Sequence, residues 1–234
     1  MSKLSLLGAC LFFTAVPAST ASLAVVNSAS YTALLAPGSI ATAFGADLAV
    51  DTGAGTTVAV QDSTGTVTAA TLFYAYPQQI AFLIPAGIAL GSASITVTSG
   101  DGTASTAAVQ ISAVAPGLFS ANANGQGVAA GVAVQGTNAS LVFTCGPAPL
   151  SCTAVPINVS QTVLELYGTG IRGHSAGVTC TIGGISAAVS YAGTQGQYAG
   201  LDQVNVSLPA SLANQGQLSI VLTVDGTEIG RAHV

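Results

Sequence analysis

The sequence has almost no charge. Of 234 residues, three are Lys or Arg and eight are Asp or Glu, giving a formal net charge of −5 and a charged fraction of 5%, against roughly a quarter in ordinary soluble domains. Three cations cannot displace the counterions of a phosphate backbone, so a nucleic-acid partner is excluded. Scarcity of Glu, Lys and Arg also leaves nothing to dress the exposed faces of helices. Tryptophan is absent and aromatics make up 6% of the chain. The two histidines, His174 and His233, stand apart, and no Cys/His set has zinc spacing. No acidic run has the spacing of a calcium loop, so calcium could be held only by scattered loop carboxylates and carbonyls. No cofactor motif is present, and none of the residues is assigned to a cofactor or metal. Beyond residue 22 there is no apolar run long enough to cross a bilayer. Surface charge normally keeps monomers apart, so its lack predicts a surface made for contact.

What is present begins with a targeting segment. Lys3 supplies a positive start, Leu4 to Val16 an apolar stretch, and Ala18-Ser19-Thr20-Ala21 a small-residue site that places cleavage near Ala21 and Ser22. Residues 1–22 are therefore a signal peptide, and the protein is expected outside the cell or on its surface. Leu7-Gly8-Ala9-Cys10 faintly matches a lipoprotein box, which would leave Cys10 lipidated, but the apolar run before it is short and ordinary secretion is preferred. In an oxidising compartment Cys145 and Cys152, flanking Gly-Pro-Ala-Pro-Leu-Ser, are expected to form a local disulfide. Alternation around Cys180 puts it beside Val178 and Ile182 on an inward face, as a buried free thiol.

One block occurs twice. Gln79-Ile80-Ala81-Phe82-Leu83-Ile84-Pro85-Ala86, a strand from Gly91 and the turn Asp101-Gly102-Thr103 return as Gln203-Val204-Asn205-Val206-Ser207-Leu208-Pro209-Ala210, a strand from Gly216 and Asp225-Gly226-Thr227. A repeat at one offset means two copies of a folding unit. Short strands of regular spacing, with Gly and Asp-Gly turns and no helical period, read as all-β: two tandem immunoglobulin-like sandwiches, over residues 23–115 and 116–234, the second carrying a disulfide-pinned insertion.

The copies differ on their outer faces. Asn205 and Ser207 make the second a half-buried strand, whereas Ala81 and Leu83 leave the first apolar outside as well as in, so the other domain or another subunit should cover it. After Asp225-Gly226 only eight residues remain, which predicts a short or incomplete last strand. With the apolar segment Leu23, Val25, Val26 ahead of the first unit, this suggests strand donation between copies; the plain alternative is that the eight residues suffice.

Ala36-Pro37-Gly38-Ser39-Ile40, Tyr76-Pro77-Gln78-Gln79-Ile80, Ala115-Pro116-Gly117-Leu118-Phe119, Leu166-Tyr167-Gly168-Thr169-Gly170 and Gly200-Leu201-Asp202-Gln203-Val204-Asn205-Val206 together resemble the Solibacter-type C-terminal domain of secreted bacterial proteins. The resemblance spans residues 27–228 and implies two immunoglobulin-like units of the TIG type. It brings no catalytic residues with it. In that family the domain usually closes a large secreted chain, whereas here it follows the targeting segment directly.

Three motifs invite a chemical reading. Gly173-His174-Ser175-Ala176-Gly177 fits a nucleophile elbow, with Asp202 or Asp225 and His233 in hydrolase order, but the elbow needs a strand-to-helix turn and a strand follows instead. Asp51-Thr52-Gly53 resembles half of an aspartic-protease site, yet the second copy offers no partner carboxylate and Asp62 lies too close. Asn138, Asn158 and Asn205 begin glycosylation sequons, a short pattern that recurs by chance. No enzyme is expected. The leading expectation is a secreted structural or adhesive protein that self-associates, with a fibre or surface layer built by strand donation through Leu23, Val25, Val26, Ala81 and Leu83. The alternative is an extracellular carbohydrate- or protein-binding module, with cell-surface glycans or proteins as partners, using Tyr74, Tyr76, Tyr191 and Tyr198, although core or corner packing is the expected use of those rings.

Overall fold

The computed structural model describes residues 22–233; the targeting segment and the Cys10 question lie outside them. The fold is all-β, as expected. The first half holds β1 (Ala24–Asn27), β2 (Leu34–Leu35), β3 (Ile40–Phe44), β4 (Thr57–Gln61), β5 (Val67–Ala69), β6 (Thr71–Tyr76), β7 (Gln79–Leu83), β8 (Gly91–Thr98) and β9 (Ala104–Ile111). The second holds β10 (Gly117–Leu118), β11 (Gly127–Val128), β12 (Gly131–Gln135), β13 (Asn138–Leu141), β14 (Phe143–Cys145), β15 (Cys152–Ala154), β16 (Val163–Thr169), β17 (Val178–Ile182), β18 (Ile185–Thr194), β19 (Asp202–Ser207), β20 (Ser219–Val224) and β21 (Thr227–His233).

In the first half, sheet β1-β3-β7-β6 packs on sheet β2-β9-β8-β4-β5, around Phe82, Ile80, Ile84, Val60, Ile95 and Ile111, all essentially inaccessible. The second half repeats this around a separate core of Leu164, Leu166, Val204, Val206, Ile220 and Leu222. In each, an early strand pairs antiparallel with one sheet (β1 with β3, β10 with β16), and the next pairs parallel with the last strand of the other (β2 with β9, β11 with β21). The β18 strand runs from β17 to β19 without a break, while its counterpart is divided at Ala70 into β5 and β6.

Of the two readings of the last strand the plain one holds, and the strand is not incomplete: β21 runs seven residues and pairs with β20 from the Asp225-Gly226 turn onward, a two-residue turn whose φ values of 48° and 78° suit the sheet twist. Nor is the segment around Leu23, Val25 and Val26 free to complete a neighbour, because β1 is hydrogen-bonded to β3 of its own half, Val25 facing Ala43 and Val26 facing Thr42. Val25 itself is buried in the first core. With β1 and β21 each paired inside their own half, strand donation and the fibre built on it find no support.

The halves meet at a tight joint. Residues 112–116 connect β9 to β10, and Val114, Ala115 and Pro116 within them are buried. Asn27, fully buried, donates from Nδ2 to the Ala115 carbonyl at 2.7 Å and accepts from the Ala29 and Ser30 amides at 2.8 and 3.1 Å. Thr169, also fully buried, accepts from the Ile40 amide at 2.8 Å and donates to the Gly200 carbonyl at 2.7 Å. Gly170 at φ 75° lies so close to the connection that a Cβ there would come within 2.1 Å of the Ala115 oxygen. A Cβ at Gly200 would strike Ile40 at 2.5 Å and Leu83 at 2.9 Å. The apolar outer face at Leu83 is thus covered by the other half of the same chain.

Cys145 and Cys152 form the expected disulfide, across the β14–β15 pair. Cys180 is free and buried, and burial pushes its thiol up to about 11. Since the thiolate is the reactive form, a Cys10→Ser chain should show no thiol to a disulfide-exchange reagent at pH 8 and one after unfolding. Rapid reaction of the native protein would contradict the burial.

Candidate ligand-binding groove between the two halves

The groove is built on the outer face of sheet β1-β3-β7-β6. Alternation along each strand sends Thr42, Ala81 and Tyr74 outward in register, with Phe44, Gln79 and Tyr76 in the neighbouring row. Between Leu72 and Tyr74 the pairing of β6 with β7 slips by one residue. This bulge puts Phe73 and Tyr74 side by side on the rim instead of on opposite faces. The second copy slips at the same place, between Val189 and Tyr191, but carries Ser190 where the first has Phe73.

A cavity of about 350 Å³ results, with Thr42 and Ala81 as its floor and Phe73 and Tyr74 as one wall. Tyr31 forms the opposite wall, and Phe119 and Ser120 of the second half close it. Ala81, expected in a self-association surface, is only 5% exposed. The rings are not spent on the core: Tyr31, Phe73 and Tyr74 are 42, 45 and 36% exposed. Tyr31 stacks on Phe44 at 6.4 Å and donates its hydroxyl to the Ala123 carbonyl at 2.8 Å. Both partners of that bond hold left-handed backbone, φ 57° at Tyr31 and 49° at Ala123, a conformation that costs a non-glycine residue and persists only where the surroundings impose it. Between the neighbouring strands β7 and β6 the Gln79 amide donates to the Tyr74 hydroxyl at 2.5 Å. Burial pushes the Tyr74 phenol above its ordinary 10.0, so it stays neutral and able to donate.

The disulfide supports this wall from behind. Asn122, in the Phe119–Gly125 loop, donates to the carbonyls of Leu150 and Cys152 at 3.0 and 2.9 Å and accepts from the Val128 amide at 3.0 Å. The pinned insertion is thereby tied to the groove.

The sequence-predicted chemical residues do not assemble. Ser175 gives its amide to Asp225 Oδ2 at 2.9 Å and its hydroxyl to the same oxygen at 3.3 Å. No imidazole intervenes, since His174 turns its ring nitrogens to the carbonyls of Ala176 and Ala192. His233 sits at the far end of the β20–β21 hairpin, paired with Ser219, roughly 20 Å from that turn at the rise of an extended strand. Asp51 lies exposed in a turn. Amide and hydroxyl donors hold three loop carboxyls below their ordinary value: Thr64 and Ala89 at Asp62, Thr103 at Asp101, and Ser175 and Ala176 at Asp225. These carboxylates cap their own loops, and among the described residues no three His, Cys, Asp or Glu side chains come together.

Of the four tyrosines singled out from sequence, none is core, which corrects that part of the packing expectation, while Tyr191 turns its hydroxyl to the Thr194 carbonyl as a corner ring would. Tyr74 lines the groove, Tyr76 extends it with its ring 5.4 Å from that of Tyr74, and Tyr191 and Tyr198 are 41 and 68% exposed on the second half. Tyr31, Phe73 and Phe119 were not anticipated. The adjacent pair Phe73-Tyr74 carried a usable signal, because two neighbouring rings on a regular strand cannot both face inward.

No protein-family model and no curated protein matches the chain. Among solved structures, SGBP-B of the Bacteroides ovatus mixed-linkage glucan utilization locus, in complex with a mixed-linkage heptasaccharide, aligns at TM-score 0.38 and 16% identity, over 86% of this chain and 42% of that one. The chain thus spans less than half the length of that protein.

Proposed function

We propose that this is a secreted, non-catalytic binding protein whose groove between the halves holds a neutral carbohydrate chain. The observation that carries the reading is the uncharged aromatic groove: Tyr31 faces Phe73 and Tyr74 over a floor of Thr42 and Ala81. A pyranose presents C–H groups on its faces and hydroxyls around its edge. The faces suit the electron-rich faces of aromatic rings, and the edge suits the Gln79 amide and the Tyr74 hydroxyl, each of which keeps a donor beyond their mutual bond. With no cation in the lining, a phosphorylated or uronic acid ligand would lose hydration without finding a partner. Tyr76 continues the aromatic surface beyond the groove, which favours an oligosaccharide over a single sugar. Adhesion, on this reading, is a consequence of the glycan held and needs no polymer of the protein.

Calorimetric titration with a panel of neutral and acidic oligosaccharides tests the proposal. A neutral member should bind, and Tyr74→Ala should weaken it at least tenfold, about 1.4 kcal/mol, with the fold intact by circular dichroism. Absence of neutral-glycan binding at millimolar concentration, or binding indifferent to Tyr74→Ala, sinks it. So does preferential uptake of a proline-rich peptide, the other partner an aromatic groove can suit.

A further inference from the structure

We infer that Asn27 and Thr169 are positioning residues that latch the two halves into one rigid unit, so that the groove is fully formed before any ligand arrives. The consequence for binding rests on the groove reading above; the mechanical claim does not.

The groove takes walls from both halves, Tyr31, Phe73 and Tyr74 from the first and Phe119 and Ser120 from the second. Units joined by a short connection move relative to each other unless their interface prevents it. Here two buried polar side chains do so. Asn27 ties the joint to the groove wall: Nδ2 grips the Ala115 carbonyl of the connection, and Oδ1 gathers the Ala29 and Ser30 amides of its own turn, which presents Tyr31. The Asn27 carbonyl accepts the Tyr31 amide at 2.9 Å as well, so one residue fixes both the joint and the wall. Thr169 works from the other side. Its hydroxyl takes the Ile40 amide of the first half and gives its proton to Gly200, the residue that packs on Ile40 and Leu83.

A slip of the joint too small to admit water would leave these groups buried and unpaired, which costs more than the bond itself contributes. Glycines make the fit possible: a Cβ at Gly117 would approach the Ser30 amide to 2.8 Å, and one at Gly170 the Ala115 oxygen to 2.1 Å. A groove preformed in this way spares the ligand the cost of ordering its walls.

Residual dipolar couplings and calorimetry on the purified protein test the latch. In the wild type both halves should fit one alignment tensor; in Asn27→Ala and in Thr169→Val they should need two, and binding of the oligosaccharide selected from the panel should fall at least tenfold. Thr169→Val keeps the side-chain shape and removes only the hydroxyl, so it decides the question if Asn27→Ala does not fold. A single tensor in the variants, or two in the wild type, overturns the latch. Should the wild type take up no oligosaccharide, the groove reading falls while the couplings still judge the joint.

Discussion

Replacing Arg172 with alanine should cost about 3 kcal/mol at pH 7, the lower end for breaking a buried ion pair by removing one partner, and lower the melting temperature by roughly 10 °C. Arg172 Nε bonds Asp202 Oδ1 at 2.6 Å, and the Asp202 side chain is fully inaccessible while that of Arg172 is 24% exposed. The Ile171 and Arg172 amides also donate to Asp202, at 2.7 and 3.2 Å, and Arg172 reaches the Leu201 carbonyl at 2.9 Å. Those amides survive the substitution, which is why the lower end applies.

The loss should depend on pH with a definite sign. Burial already pushes the Asp202 carboxyl above its ordinary 3.8, against the Ile171 amide and the Arg172 charge, which pull it down. Without the guanidinium the folded-state value climbs further. A raised folded value means stability fully present below the unfolded value and lost as pH rises through the folded one. The gap between wild type and Arg172→Ala should therefore narrow toward pH 4 and widen toward pH 8. Urea melts at matched pH measure it. A gap that is constant across that range would mean that Asp202 does not stay charged and buried, and would remove the basis for the pairing.

How much of this was legible beforehand depends on which physical signal each feature leaves. The inner faces were legible: Ile80, Phe82 and Ile84, like Val204 and Val206, alternate with outward residues and are buried, although in β7 the outward Ala81 is buried as well. The disulfide was legible from an eight-residue span in an oxidising setting. The joint was not, although the motif stretches that carry the family resemblance converge on it: Gly38 against the Arg172 side chain, Ala115 under Asn27, Thr169 under Ile40, Gly200 on Leu83. Each looks like a turn in isolation, because a side chain such as Asn27 declares its role only when its partner, 88 residues away, is in place. The outer apolar face of Ala81 and Leu83 was expected under the other domain or another subunit; Leu83 meets Gly200 of the second half, whereas Ala81 lies in the groove lining. The length of β21 stayed open between two readings because eight residues are few for a strand, yet the turn is complete at Gly226 and leaves Thr227–His233 for pairing.

Phe82→Ala should cost about 4 kcal/mol, within the range for emptying an aromatic core site, and the loss should be confined to the first half. Phe82 is fully inaccessible, paired with Ala41 on one side and Leu72 on the other. It belongs to a cluster with Ile80, Ile84 and Ile95 that shares no member with the cluster around Leu164 and Val206. If the halves are two folding domains, as we propose, the cavity weakens one core and leaves the other packed. Amides of β8 should then exchange with solvent about a thousandfold faster, the equivalent of 4 kcal/mol, while those of β16 and β20 keep their protection. Uniform acceleration in both halves would instead mean one cooperative unit, with the latch strong enough to pass the loss across. The two substitutions together separate the roles: Arg172→Ala acts at the joint and leaves Phe82 in place, whereas Phe82→Ala removes the support beneath Ala81 and should abolish glycan binding through the groove floor even where the joint still holds.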